Sequence, residues 1–531
     1  MDNKILELPN SWVVVKLGDF VENEKGKKPK NESKVETTSH TIPYVDIQAF
    51  EEKVVRSWTD GSGCRLCYET DFLMVWDGSR SGLVGKGING ALGSTLVRIY
   101  FPSMVNDYAF YFLQSKYQQI NTRAKGVGIP HVDPALLWNY DFPVPPLNEQ
   151  HRIVAKIEEL FSELDKGIEN LKTAQAQLKM YRQALLKHAF EGKLTAQWRK
   201  QNHDKLETAT DLLKRIQQER AQRYQQQLAD WEKSKSPSIP LLQRGKTASA
   251  AASPTVPPFE KGGLGGISKP KAPKPLPPLT AEELAELPEL PERWCWEKLG
   301  NIADLVGGVT KGKDLKGKEK ISLPYLRVAN VQDGYLDLTE IKHIEVEPQD
   351  KNKYRLEFGD VLYTEGGDKD KLGRGAVWRS QIESCIHQNH IFRARVFGGV
   401  ISPEILSLYS QTKSAKKYFF RHAKQTTNLA SINLTVLANL PVTIVCQSEQ
   451  KQILQEIAAR LSEADQLELT LITSLQQAEA LRQSILKRAF SGQLVPQDPH
   501  DEPASALLAR IKADKMQHTR EPKSSRSKRN E

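Results

Sequence analysis

One long stretch of this chain occurs twice, and that limits the fold more than any other feature. The first copy runs from Pro145-Pro146-Leu147-Asn148-Glu149-Gln150 to Lys187-His188-Ala189-Phe190-Glu191-Gly192-Lys193-Leu194. The second runs from Gln447-Ser448-Glu449-Gln450 to Lys487-Arg488-Ala489-Phe490-Ser491-Gly492-Gln493-Leu494. Glu149 answers to Glu449 and Gly192 to Gly492, both at an offset of 300 residues, so no net length is gained or lost between them. Loops accept insertions at little cost. A length kept equal in two copies therefore reads as a spacer whose length matters.

Apolar residues in the first copy fall at Ile153, Ile157, Leu160, Leu164, Ile168, Leu171, Leu178, Tyr181 and Leu185. The second copy has Ile453, Ile457, Leu461, Ala464, Leu467, Leu471, Ala478, Leu481 and Ile485. Steps of three and four are the period of a helix with one buried seam. Each run ends on a basic residue and then Gly192 or Gly492, a helix stop. Forty helical residues would span about 60 Å at 1.5 Å each. Such a rod cannot bury its stripe alone. The economical partner is the other copy, in an antiparallel coiled coil packed through Ile153, Ile157, Leu164, Leu171, Leu178, Ile453, Ile457, Leu461, Leu471 and Leu481. Two unrelated amphipathic helices, each on its own domain, would not require equal lengths.

With 531 residues the chain is too long for one core. The net charge of +10 favours a polyanionic partner. No apolar run is long enough for a membrane span, and the start lacks the apolar core of a signal peptide. Five cysteines, an odd and sparse set, suit a reducing cytoplasm. Cys64 and Cys67 form a CxxC, but no second pair completes a zinc site. We expect no metal.

The globular parts also repeat. Leu8-Pro9-Asn10-Ser11-Trp12 and Lys16-Leu17-Gly18 recur as Leu290-Pro291-Glu292-Arg293-Trp294 and Lys298-Leu299-Gly300, offset by 282. Pro43-Tyr44 recurs as Pro324-Tyr325, offset by 281. The loops between therefore differ in length, while the architecture is shared. Short runs such as Phe72–Trp76, Thr95–Ile99, Asp360–Tyr363 and Ile391–Val396 read as strands, and Asp107–Tyr117 and Pro403–Tyr418 as helices. The fold class is α+β: two similar mixed α/β domains separated by two long antiparallel helices, with pseudo-twofold internal repetition. The expected divisions are a first domain at 1–146, a long helix and second helical piece at 147–235, and a Pro/Gly-rich linker at 236–285. A second domain at 286–446, a C-terminal long helix and short helix at 447–515, and a basic tail at 516–531 complete the chain.

Catalytic signatures are missing from the sequence. There is no Asp/Asn-Pro-Pro-aromatic motif, no Gly-rich fingerprint for a methyl donor or dinucleotide, and no GxSxG or HExxH. Basic, Gly-rich loops stand out instead, at matching places in the two halves. The first half offers Lys27, Lys28 and Lys30, then Ser79, Arg80 and Lys86. The second offers Thr310, Lys311 and Lys313, then Lys369, Lys371 and Arg374. Gly lets a backbone approach closely, Lys and Arg bind phosphates, and Arg reads guanine edges. One such loop would pass as solvated surface; four in register point to DNA.

These features together resemble the specificity subunit of type I restriction-modification systems. The resemblance is carried by Leu-Pro-x-x-Trp-x-x-x-x-Leu-Gly at Leu8 and Leu290, the Pro-Pro-Leu-x-Glu-Gln helix start at Pro145, and Lys-x-Ala-Phe-x-Gly-x-Leu at Lys187 and Lys487. At the second helix start Val445-Cys446-Gln447 replaces Pro-Pro-Leu. The resemblance implies two target recognition domains, each reading one half of a split asymmetric site on double-stranded DNA. It implies no catalysis and no cofactor on this chain. Two methyltransferase subunits carrying S-adenosylmethionine would dock on it to methylate adenine. Restriction and translocase subunits using ATP and Mg2+ would join them in the cytoplasm. The alternatives are a self-contained DNA-modifying or DNA-cleaving enzyme, and a coiled-coil scaffold without a DNA role.

Overall fold

Four helices frame the chain: α1 (Leu147–Phe190), α2 (Ala209–Lys235), α3 (Gln447–Ala489) and α4 (Ala504–Arg520). The computed structural model describes residues 8–235, 272 and 274–520, except 103, 127, 313, 314, 368–370 and 426–429. Most of the expected linker and the end of the expected tail lie outside the described residues. The chain forms two compact units. Unit 1 is Met1–Gln175 with Leu469–Glu531, and unit 2 is Ala176–Glu468. The helices α1 and α3 each start in one unit and finish in the other.

In unit 1, β1 (Glu22–Lys25), β2 (Phe72–Val75), β3 (Val84–Lys86) and β4 (Leu96–Tyr100) form an antiparallel sheet in the order β1-β4-β2-β3. Successive side chains alternate between its faces. Phe72, Met74, Val97 and Ile99 face the helix Asn106–Thr122, the start of α1 at Ile153 and Ile157, and the end of α3 at Ile485, Leu486 and Ala489. Leu73, Val75 and Leu96 face the other way, onto Val45, Phe50 and Leu92. Those last residues belong to a second layer in which the strand Ile42–Val45 runs parallel to Gly90–Leu92.

Unit 2 repeats this plan. Its sheet of β5 (Ala303–Gly307), β6 (Val361–Thr364), β7 (Gly375–Val377) and β8 (Ile391–Val396) has the order β5-β8-β6-β7. Val361, Tyr363, Ala394 and Val396 pack on Leu186, Ala189 and Phe190 of α1 and on Ile453 and Ile457 of α3. Ile321–Leu326 runs parallel to Ile386–His387 in its second layer. In both units, then, the end of one long helix lies beside the start of the other, as an antiparallel pair requires.

The repeated motifs are the joints of this plan. Val13–Lys16 pairs with Asp141–Val144, and Cys295–Lys298 with Pro441–Ile444, so each globular part is tied shut just before its long helix. The Trp12 indole donates to the buried Glu149 at 3.0 Å, and the Trp294 indole to the buried Glu449 at 2.9 Å. Both long helices end in a Schellman turn at a positive-φ glycine: Lys193 N donates to His188 O and Gln493 N to Arg488 O, each at 2.9 Å. Gly192 packs against Pro291, and Gly492 against Pro9, where a Cβ would overlap the proline ring. Beyond these joints, Ala209 N binds Arg293 O in unit 2, and Ala504 N binds Ser11 O in unit 1.

The seam between the rods differs from expectation at three positions. Tyr181, Leu467 and Leu481 are 41%, 56% and 51% exposed. The residues that turn inward are their neighbours Arg182, Glu468 and Arg482. Arg182 pairs with Asp465 at 2.6 Å and Glu468 at 2.7 Å in unit 2, and Arg482 pairs with Asp165 in unit 1. The seam advances by four after Leu178 and Ala478, to Arg182 and Arg482, which leaves the apolar residue three along facing out. Leu481 is therefore not a packing residue. Ile153, Ile157, Ile453 and Ile457 are buried; Leu164, Leu171, Leu178, Leu461 and Leu471 are half-buried.

Residues 274–285, expected as linker, are instead tied to unit 2. Leu276 exchanges hydrogen bonds with the Asn301 side chain, and Thr280 and Glu283 form a capping box on the short helix Ala281–Ala285. The helix expected over Pro403–Tyr418 is two, Pro403–Ser410 and Lys413–His422, divided where the Thr412 hydroxyl caps Ala415 N. The backbone is helical to Arg520, inside the expected tail.

Candidate nucleic-acid interface

The loops after β1 and β2 leave the same end of the unit 1 sheet, because Lys25 and Val75 both lie at the Leu96–Val97 end of β4. The first loop begins at Gly26, whose amide donates to Leu96 O at 3.0 Å, while Lys27 N donates to Leu92 O at 3.1 Å. A Cβ on Gly26 would fall on the carbonyl oxygens of Leu92 and Gly93. Gly308 has the same role in unit 2, where a Cβ would fall on the oxygens of His387 and Gln388. These glycines are 282 residues apart, the offset of the opening motif. Each lets the loop cross tightly over the second layer, and each is followed by basic residues.

Lys27, Lys28 and Lys30 are exposed, and none is in an ion pair with a described residue. Ser79 and Arg80 are exposed in the turn after β2, with Arg80 paired to Glu51. An ion pair of Lys25 with Asp77 at 2.8 Å joins the two loops. Lys86 is not with them. It sits at the other end of β3, level with Phe72, paired to Asp107 and 5.1 Å over the Phe110 ring. The β-turn between β2 and β3 reverses the chain, so residues close to Arg80 in sequence are carried away from it.

In unit 2 the loop after β5 exposes Thr310 and Lys311, and the loop after β6 carries Lys371 and Arg374, both half-buried. The Arg374 guanidinium donates to Gln332 Oε1 at 2.8 Å. Lys371 lends its carbonyl to the Thr364 hydroxyl at 2.7 Å. Lys313 and Lys369 lie outside the described residues. The second loop closes alike in both units: Gly82 N binds Val75 O, and Gly373 N binds Thr364 O. Both glycines have positive φ, and a Cβ there would strike Ile120 or Phe419.

A third element at this end of each sheet was missed in the sequence. In unit 1, Lys125 and His131 exchange both backbone hydrogen bonds, and His131 bridges to Asp77. In unit 2, Lys424 pairs with Ser431 and Gly366 with Ser431 likewise. The Lys125 ammonium, 2.7 Å from Asp133, holds that carboxyl below the ordinary range. Asp133 and Asn433 then cap the helices Pro134–Trp138 and Leu434–Ala438. The signal was available: the offset of 300 already holds from His131-Val132-Asp133 to Ser431-Ile432-Asn433.

Among the described residues no group of His, Cys, Asp or Glu is arranged to hold a metal ion. Cys64 and Cys67 are free thiols; burial pushes Cys67 up to about 12. No helix among the described residues is long and apolar enough to cross a membrane.

A family model described as "Type I restriction modification DNA specificity domain" matches residues 9–173 and 291–478. The type I restriction enzyme EcoBI specificity subunit of Escherichia coli is 22% identical over 528 residues, 97% of this chain and 94% of that one. The type I restriction enzyme MjaVIII specificity subunit of Methanocaldococcus jannaschii is 32% identical over 191 residues, 34% of this chain and 45% of that one. This chain thus matches under half the length of the second relative. A solved structure, described as the structural basis of complex assembly and conformational transition of the type I R-M system, has a similar fold. Its TM-score is 0.57 at 17% identity, covering 92% of this chain and 100% of that one.

Proposed function

This chain belongs to the type I restriction modification DNA specificity domain family, and from that premise we propose that it is the sequence-specific DNA-recognition subunit of such a complex. Each unit reads one half of a bipartite, asymmetric double-stranded site. The paired helices set the gap between halves and dock two methyltransferase subunits. Chemistry belongs to those partners: adenine methylation from S-adenosylmethionine, and ATP- and Mg2+-dependent translocation and cleavage by restriction subunits.

The observation that supports this most is the repeated sheet end. In each unit a glycine-gated loop, a second Gly-rich turn and a short hairpin leave the same end of a sheet of the same strand order. Exposed Lys27, Lys28, Lys30 and Lys311 would contact phosphates, which position a protein on DNA without reading sequence. Half-buried Arg374, its fork held by Gln332, is suited to a base edge.

The test is binding by the complex assembled with its modification subunits. Binding should be selective for one bipartite site and fall steeply with salt. Lys27→Ala should weaken binding to all sequences and reduce the salt slope by about 1. The chain alone, given DNA and S-adenosylmethionine, should transfer no methyl group. Transfer would favour a self-contained enzyme, and binding without selectivity would sink the recognition role.

A further inference from the structure

We propose that Ile129 is a base-reading residue, whose side chain enters a groove of the half-site bound by unit 1 and packs on the C5-methyl of a thymine. The proposal rests on the DNA-recognition reading above. Ile129 sits in the hairpin whose base is closed by Lys125 N to His131 O at 2.9 Å and His131 N to Lys125 O at 2.7 Å. Two further bonds fix that hairpin to the end of β2 and the turn after it. Gly78 N donates to Pro130 O at 2.7 Å, and Val132 N donates to Trp76 O at 2.9 Å. Gly126 and Gly128 have φ of +120° and +106°.

The result is an isoleucine 70% exposed, beside a proline, on a hairpin anchored next to Ser79 and Arg80. Single exposed apolar residues are common on surfaces. The position of this one is what matters. It leaves the same sheet end as the exposed Lys27, Lys28 and Lys30. Those cations are chemically suited to phosphates, whereas Ile129 has no donor or charge to offer one. The group on a base edge that complements it is the thymine methyl, displayed in the major groove. Methylation of adenine by the partner subunits requires an A·T pair in the site, so a thymine is at hand.

The experiment uses the full chain in complex with its modification subunits, on duplexes carrying the site mapped by methylation sequencing. Each thymine of the half-site read by unit 1 is replaced in turn by uracil, which removes only the methyl. At one position the wild-type complex should lose about three- to fivefold in affinity, the worth of one buried methyl. Ile129→Ala should bind the thymine duplex weaker by a similar factor and no longer distinguish it from uracil; Ile129→Val should still distinguish them. Unchanged discrimination at the other half-site would show that the variants are folded. The proposal is overturned if no thymine responds, or if uracil costs Ile129→Ala as much as wild type. It is also overturned if Ile129 instead raises 2-aminopurine fluorescence at a base step without any uracil effect, which would make it a wedge. In each of those cases selective binding by the wild-type complex would persist; its absence would overturn the recognition reading and this proposal together.

Discussion

Glu149 and Glu449 occupy equivalent buried sites with different company. Glu449 accepts from Trp294, from the Thr195 hydroxyl at 2.6 Å and from Arg199, whose guanidinium pairs with it at 2.8 Å. Glu149 accepts from Trp12 and from the Gln497 amide at 2.6 Å, and among the described residues no cation is bonded to it. Burial pushes the Glu149 carboxyl up from 4.5, against the hydrogen bonds from Gln497 and Trp12 that hold it down. A raised folded value means that the native state binds the proton more tightly than the unfolded chain. Stability contributed by this group is present below 4.5 and is lost as pH rises through the raised value. Glu149→Gln should flatten that part of the stability–pH profile, followed by denaturant midpoint from pH 4 to 8. Glu449→Ala should cost about 3–5 kcal/mol, because it leaves a mostly buried guanidinium unpaired. Gly26→Ala and Gly308→Ala should each cost about 1–3 kcal/mol by forcing a loop off the carbonyls beneath it. Each should impair one half-site and spare the other, read by binding to duplexes altered in one half.

At the scale of elements, the rods were legible and their contact face was only partly so. Equal spacing between Glu149–Gly192 and Glu449–Gly492 located both helices, and the observed ends fall within three residues of those landmarks. Periodicity within one helix cannot show what the neighbouring helix presents. Hence periodicity favours Tyr181 and Leu481, whereas the structure seats Arg182 and Arg482, whose acidic partners lie across the seam. The same blindness applied to the loops: Lys86 and Arg80 are close in sequence, but a strand's length separates them in space. The hairpins at Lys125 and Lys424 were missed because two-residue bridges carry no periodic signal. Ile157→Ala and Ile457→Ala should each cost about 2–5 kcal/mol, as core truncations do. Leu481→Ala should stay within about 0.5 kcal/mol, as an exposed substitution. Denaturant unfolding of the three variants would check the seam directly.

For the molecule as a whole, the proposed role makes helix length a determinant of site geometry. Seven residues inserted between Leu171 and Leu178, matched between Leu471 and Ala478, add about 10 Å of helix. The gap between half-sites should then widen by about three base pairs at 3.4 Å each, with the bases of both halves unchanged. Methylation mapping would read this, and altered bases at an unchanged gap would refute it. Exchange of Gly26–Trp138 for another domain should change one half-site alone.

Unit 1 is assembled from the first 175 residues and from everything after 468, whereas unit 2 is a single unbroken length of chain. Synthesis proceeds from the amino end, so the half that is begun first is completed last. Until Pro9 meets Gly492 and Ser11 meets Ala504, the early-made sheet has Phe72, Tyr108 and Phe142 without part of their covering. A chain cut short near residue 468 would therefore keep the whole of the second unit and lack part of the first, and a C-terminal nonsense mutation would injure recognition of the half-site assigned to the opposite end of the gene.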